Sequence, residues 1–264
     1  MVSPPDLSGR VAIVTGGTRR LGAWLTRGLL EAGCSVLATY HRDSSAAREF
    51  EREWEKRRRE LVEAERAGEP GELVVMKADA ASTAQWRRVV ERVAKRWGRL
   101  DILVNNVGHG LERKLSETEP EEMERLLRSN LMSAFLGIRA CLDLMVETGG
   151  GAVVNLGCAG ARHLTAKRRL PAYYVAKSAL VALTFSFARE LAPLGIRVNL
   201  LSPGFTELTE VPVEVKDRVG RAIPIGRLVE REAIVTALYQ LVDLSPAARQ
   251  ITGTDLQVGG GWGV

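Results

Sequence analysis

Tyr173 and Lys177 stand four positions apart in Tyr173-Tyr174-Val175-Ala176-Lys177. On a helix that spacing puts both side chains on one face. An ammonium beside a phenol favours the phenolate and draws its pKa down. The pair therefore suits general acid catalysis at a carbonyl, with Tyr173 as proton donor. Tyr174, three before the lysine, is the weaker candidate. A second chemical run is Gly16-Gly17-Thr18-Arg19-Arg20-Leu21-Gly22, after the apolar Val11–Thr15. Glycines let a backbone turn sharply and approach a pyrophosphate, and the helix that follows offers free N–H groups to the anion. A third is Thr39-Tyr40-His41-Arg42. An NAD enzyme usually carries an acid at this point for the ribose 2′-hydroxyl. Here Asp43 arrives only after an arginine. A 2′-phosphate needs cationic, bidentate partners. Arg42 offers one, Arg19 and Arg20 can approach from the first turn, and His41 can add a hydrogen bond. The expected cofactor is NADPH/NADP+ rather than NADH.

These groups need a scaffold. Short β-branched runs recur at Val11–Thr15, Ser35–Thr39, Leu73–Lys77, Ile102–Asn105, Ala152–Leu156 and Arg197–Leu201. Between them lie segments of helical periodicity: Leu21–Ala32, Ala46–Ala67, Thr83–Trp97, Pro120–Glu147, Tyr173–Ala192 and Arg231–Leu244. Strands alternating with helices predict βαβ units and a mostly parallel sheet, doubly wound, with the ligand crevice at the strand ends. Neither a repeat nor a flexible linker divides the chain, so residues 1–264 are expected to form one Rossmann-type α/β domain. Residues 46–69 are unusually rich in charge and read as a solvated helix face.

Composition narrows the function. The chain has 264 residues, 45% hydrophobic and 26% charged, enough for a sizeable core and too apolar for disorder. A net charge of +5, without an aromatic-interleaved basic stripe, does not point to nucleic acid. Cys34, Cys141 and Cys158 form neither a disulfide framework nor a zinc spacing, so no metal is expected. Without a signal core or an uninterrupted apolar run of membrane-spanning length, a soluble cytoplasmic protein is expected.

Taken together, these motifs resemble the short-chain dehydrogenase/reductase family over essentially the whole length. Thr15–Gly22 is similar to its TGxxx(R)xG turn. Asp79, followed by Ala80, stands where the family contacts adenine. Asn105-Asn106-Val107-Gly108 resembles its NNAG run, which supports the sheet and lines the adenosine side. Asn130 matches the asparagine that anchors a relay water, and Tyr173 and Lys177 match the catalytic pair. The resemblance implies that Lys177 also holds the nicotinamide ribose. Asn199 to Pro203 and Gly204 matches the segment flanking nicotinamide, and Ile251-Thr-Gly-Thr resembles the closing strand that packs in family tetramers. A homotetramer acting on a small-molecule substrate is therefore implied.

Departures from the pattern bear on substrate. Arg20 replaces the middle glycine of the turn. That change, His41-Arg42-Asp43-Ser44 and Pro203-Gly-Phe205-Thr206-Glu-Leu208 resemble pteridine reductases within the family. Thr206 substitutes for the usual threonine contact to nicotinamide or phosphate. Cys158 takes the place of the serine that polarises the carbonyl. It reads as a lining residue, as a weak donor or, least favoured, as a nucleophile. Its spacing to Tyr173 is two longer than usual. The loop between carries Arg162, His163, Lys167, Arg168 and Arg169, which read as solvated or as facing an anionic substrate or an acidic carrier protein. His109, His163 and Phe205 are the candidate substrate residues, although pterin enzymes place an aromatic ring where His109-Gly-Leu-Glu112 stands. Residues 205–227 are expected to form an apolar lid. The expected activity is NADPH-dependent reduction of a C=O or C=N bond, pteridine-reductase-like, with 3-oxoacyl-carrier or general ketone reduction as the alternative. Binding of NADPH without catalysis is the non-enzymatic reading.

Overall fold

The computed structural model describes residues 5–64, 69–166, 170–208 and 212–263. Seven strands form one sheet: β1 (Val11–Val14), β2 (Ser35–Tyr40), β3 (Leu73–Lys77), β4 (Ile102–Asn105), β5 (Gly151–Leu156), β6 (Ile196–Pro203) and β7 (Asp255–Val258). Their order is β3-β2-β1-β4-β5-β6-β7, and every pairing is parallel. The order reverses between β1 and β4, where an open parallel sheet leaves a crevice beyond its strand ends.

The strands are buried runs because helices cover both faces. On one side α1 (Arg20–Glu31), α2 (Ser44–Glu63) and α8 (Arg231–Val242) pack Leu25, Leu29, Trp54, Ile234 and Leu238 against the sheet. On the other, α3 (Thr83–Trp97), α5 (Ser133–Glu147) and α6 (Pro171–Leu191) contribute Trp86, Val93, Ile138, Met145 and Phe187. One further short helix, α4 (Pro120–Leu127), precedes α5, and another, α7 (Val213–Ala222), lies between β6 and α8. The charged second helix behaves as its sequence predicts: Ala47, Phe50, Trp54 and Leu61 turn inward and the remaining faces meet solvent. Its expected last residues, 65–67, lie outside the described residues.

Three expectations about elements need correction. The single helix expected over Pro120–Glu147 is interrupted by a π-helical turn at Arg128–Met132. That whole stretch is long and apolar enough to cross a membrane, but its apolar residues form part of the core against the sheet. The closing strand is Asp255–Val258, not Ile251–Thr254. The earlier residues are held by Asn199, whose amide donates to Ile251 O at 2.9 Å and whose oxygen accepts from Thr254 N at 3.0 Å. Finally, the expected lid contains α7, a charged helix rather than an apolar strap. Residues 209–211 within it, including Val211, lie outside the described residues.

One buried polar chain ties the central layers together. Asn105, at the end of β4, donates to Asn155 Oδ1 on β5 at 2.9 Å. Asn155 donates in turn to Thr184 Oγ1 on α6 at 2.9 Å. Asn155 and Thr184 are fully enclosed, so removing the link strands polar atoms without water. Asn155→Ala should lower unfolding stability by about 2–3 kcal/mol, the penalty for unsatisfied buried polar groups. Urea denaturation checks this: the midpoint should fall at an unchanged slope.

Candidate functional site

At the end of β1 the chain turns through Gly16 and enters α1. A Cβ on Gly22 would collide with the Gly16 carbonyl oxygen, so helix and turn approach as only glycine permits. Asn106 braces this turn. Its amide donates to Thr15 O at 2.9 Å and Gly16 O at 3.2 Å. Thr15 Oγ1 accepts from the backbone of Asn106 at 2.9 Å and of Val107 at 3.2 Å. The amide donors of Asn106 are thus directed to the first turn and hold it in place. Arg20, the first residue of α1, has φ of 50°. A left-handed backbone at a non-glycine residue is strained, by roughly 1–2 kcal/mol.

His41 and Arg42 are exposed just after β2, and Arg19 is exposed in the turn before α1. Arg19 pairs with Asp43 at 3.7 Å, and Asp43 also caps α2 by accepting from Ala46 N at 3.0 Å. Asp43 therefore anchors a helix and steadies an arginine. Asp79 follows β3 and accepts from Ala81 N at 2.9 Å, while buried Ala80 adjoins it. Thr18 is buried in the turn and Leu21 packs against the core.

The proton-handling groups meet at the ends of β4 and β5. Lys177 is buried on α6 and donates to Leu156 O, the last carbonyl of β5, at 2.6 Å. Its Nζ lies 5.6 Å from the centre of the Tyr173 ring. Asn130 sits inside the π-helical turn, its amide donating to His109 O at 2.9 Å and Leu126 O at 3.0 Å. Its Oδ1 is buried without a hydrogen-bond partner. A Cβ on Gly108 would collide with that oxygen and lie 3.4 Å from Lys177 Nζ, so Gly108, Asn130 and Lys177 converge. A buried acceptor aimed beside an ammonium fits a bound hydroxyl or water that completes its hydrogen bonding. The glycine turn and this acceptor together fit a nicotinamide dinucleotide.

Cys158, partly exposed after β5, lies close enough to the phenols of both Tyr173 and Tyr174 to raise their pKa. The two rings meet edge to face at 6.0 Å, and Tyr174 also donates to Ala159 O at 3.4 Å. The structure thus brings Cys158 to Tyr173. It corrects one electrostatic expectation. Tyr173 is held well above its ordinary pKa, first by burial and then by Cys158 and Tyr174. Desolvation, not the neighbouring lysine, sets the direction of the shift. Burial also pulls Lys177 down, from 10.5 to about 8.

The candidate substrate residues are distributed unevenly. His109 is exposed beside the crevice, with Nδ1 2.8 Å from Ser129 Oγ. Burial and the charges of Arg125 and Arg42 push its pKa down. His163 is exposed on the loop after β5, and its charge acts on Asp255 of β7. Lys167, Arg168 and Arg169 lie outside the described residues. Phe205 meets Trp262 edge-on at 5.2 Å, an aromatic pair the sequence did not single out. Buried Thr206 bridges to Val229. Pro203 ends β6 and Gly204 follows it, with Gly204 N donating to Val258 O at 2.8 Å. Ser129 was also missed; only its place beside Asn130 could have signalled it.

A family model described as enoyl-(acyl carrier protein) reductase matches residues 18–263. The acetoacetyl-CoA reductase of Allochromatium vinosum is 30% identical over 256 residues, covering 96% of this chain and 98% of that protein. The 3-oxoacyl-[acyl-carrier-protein] reductase of Haemophilus influenzae is 31% identical over 258 residues, covering 97% and 98%. A solved short-chain dehydrogenase/reductase from Serratia marcescens superposes with a TM-score of 0.84 at 30% identity, covering 98% of this chain and all of that one.

The buried lysine yields a titration test. Below about pH 8 Lys177 should be an ammonium, and above it a neutral amine. Carbon-13 NMR of labelled lysines, with Lys177 assigned by comparison with K177R, should show the Lys177 Cε resonance titrating near pH 8. A Lys177 midpoint at the ordinary value would refute its desolvated setting.

Proposed function

The chain belongs to the short-chain dehydrogenase/reductase family, and from that premise we propose that it is an NADPH-dependent reductase of the ketone in a 3-oxoacyl thioester. One observation carries the reading. Tyr173, Lys177, Cys158 and Asn130 gather at the ends of β4 and β5, around a buried acceptor with no partner. The names of the acetoacetyl-CoA and 3-oxoacyl reductases supply the substrate class.

Bound NADPH supplies a hydride. The chain's own residues do the rest. Gly16 to Gly22 and the start of α1 would cradle the pyrophosphate. Arg42, with His41, Arg19 and Arg20, would face the 2′-phosphate. Asp79 and Ala80 would border adenine, and Asn106, Val107 and Gly108 the adenosine side. Pro203, Gly204 and Thr206 would flank the nicotinamide. Tyr173 would donate its phenolic proton to the developing alkoxide. Its raised pKa keeps that proton in place until the oxygen becomes more basic than phenolate. Lys177 would hold the ribose and steady the phenolate left behind, and Asn130 Oδ1 would accept from the relay water. Cys158 would touch the substrate oxygen, but a thiol is a weak donor. Polarisation of the carbonyl therefore rests more heavily on Tyr173.

His109, His163 and Phe205 remain the proposed substrate-side residues. The pterin reading is supported by Arg20 and the His41-Arg42 run. Against it, His109, which would have to stack on the ring, is engaged by Ser129. The homotetramer rests on the family resemblance, with exposed Met132 and Val175 available for a contact between copies.

The test is NADPH oxidation with acetoacetyl thioester and dihydrobiopterin assayed in parallel. Turnover of the thioester is expected. Pterin turnover alone would move the substrate to a C=N bond, and cofactor binding without turnover of either would refute the reductase reading. Tyr173→Phe should lower kcat by about a thousandfold, within the usual range for a general acid, and leave NADPH affinity nearly unchanged.

Arg42→Ala tests the cofactor. Losing a charge-assisted contact of about 1.5–3 kcal/mol should weaken NADPH roughly tenfold or more, with little change for NADH. Equal losses for both, measured by fluorescence titration, would contradict the 2′-phosphate role.

A further inference from the structure

We propose that Trp262 and the glycine turn before it clamp both ends of the substrate-covering segment and so position α7 over the site. Trp262 is a positioning residue in this scheme, and its effect on substrate rests on the reductase reading above.

The covering segment leaves and returns through one neck. Phe205 O accepts from Val229 N at 2.8 Å, and Thr206 bridges to Val229 in parallel. Between these points α7 is weakly attached by its own side chains. Gly220 is its one buried residue, and Val213 is 68% exposed. A helix with so little buried surface cannot fix its own position by packing. Its placement must be set at its ends.

The C-terminal turn touches both. On the outgoing side, the Trp262 ring meets Phe205 edge-on at 5.2 Å and 81°. On the returning side, Ile225 N donates to Gly260 O at 3.1 Å. Gly261 lies so close to Pro224 that a Cβ would fall 2.9 Å from the proline ring. A Cβ on Gly260 would press on Ile223, at 3.0 Å, and on Ile225. The same turn reaches the catalytic loop. A Cβ on Gly263 would fall 2.7 Å from Gly160 N and 2.9 Å from the Ala159 carbonyl carbon. Ala159 directly follows Cys158. Five residues, Gly259 to Gly263, thus join the two hinges of the cover to the loop that carries the active-site thiol. Gly260, Gly261 and Gly263 all have positive φ, so the path is one that glycine alone takes without strain. Trp262 supplies the large side chain in this turn, and its edge-to-face contact is directional.

Hydrogen exchange and steady-state kinetics on the full chain test the clamp. In W262A, amides of the peptides spanning 205–208 and 213–229 should exchange about tenfold faster, as expected for local opening, while β4 and β5 keep their protection. KM for acetoacetyl thioester should rise about tenfold with kcat within about threefold, the signature of lost substrate positioning. The affinity for NADPH should hold, and W262F should restore most of the loss. G261A strains the returning hinge without touching the ring and should give the same pattern, which covers the case in which W262A fails to fold. Unchanged exchange over 213–229, or faster exchange spread evenly across the sheet, would overturn the clamp. If the wild-type chain reduces no thioester, the reductase reading fails, and the exchange data still decide the clamp on their own.

Discussion

A buried ammonium governs the arrangement of this site. Lys177 lies almost wholly out of water, where an unpaired charge is expensive. The structure meets that demand with the terminal carbonyl of β5 at 2.6 Å, while Gly108 leaves room for the unpartnered Asn130 oxygen to stand nearby. Each neighbour imposes a condition. The carbonyl fixes the rotation and height of α6 against β5, and with it the position of Tyr173 one turn earlier. The asparagine requires a close approach of the loop after β4, which residue 108 can make only as glycine. Moving any of the three would expose or strand the charge.

Asn130 meets its condition through an irregular backbone. A continuous α-helix from Pro120 would deliver successive side chains by the ordinary 100° step. The π-helical turn at Arg128–Met132 is a wider turn with more residues in it, so it re-aims Asn130 while the apolar stripe of α5 stays on the core. Ser129 and His109 brace the same corner, the serine hydroxyl joining the histidine ring and the asparagine amide holding the histidine carbonyl. The irregularity thus falls where a functional side chain and a core face require different phases.

What could be read in the sequence, and what could not, follows from the range of each interaction. The strand cores Val11–Val14 and Ile102–Asn105 and the inward faces of α2 and α3 are local patterns of burial, and their periods are written in consecutive residues. The glycine turn and the Tyr173–Lys177 spacing are equally local. The π-helical turn has no comparable signature, because its hydrogen bonds shift without a change of composition. The position of β7 depended on Asn199, more than fifty residues away, holding Ile251 and Thr254 as a turn. The direction of the Tyr173 shift is not legible in the sequence, because spacing reports the neighbouring charge and not the desolvation. The Phe205–Trp262 pair joins the far end of the chain to the end of β6, a distance over which no periodicity operates.

Arg20 shows how local rules yield to a site. The position favours glycine on backbone grounds, since its φ of 50° is strained for any side chain. A guanidinium there stands at the N-terminus of α1, where the helix dipole is also positive. Both features disfavour an arginine in the isolated protein. Both become favourable once an anion occupies the turn, because backbone N–H groups, dipole and guanidinium then converge on one negative charge.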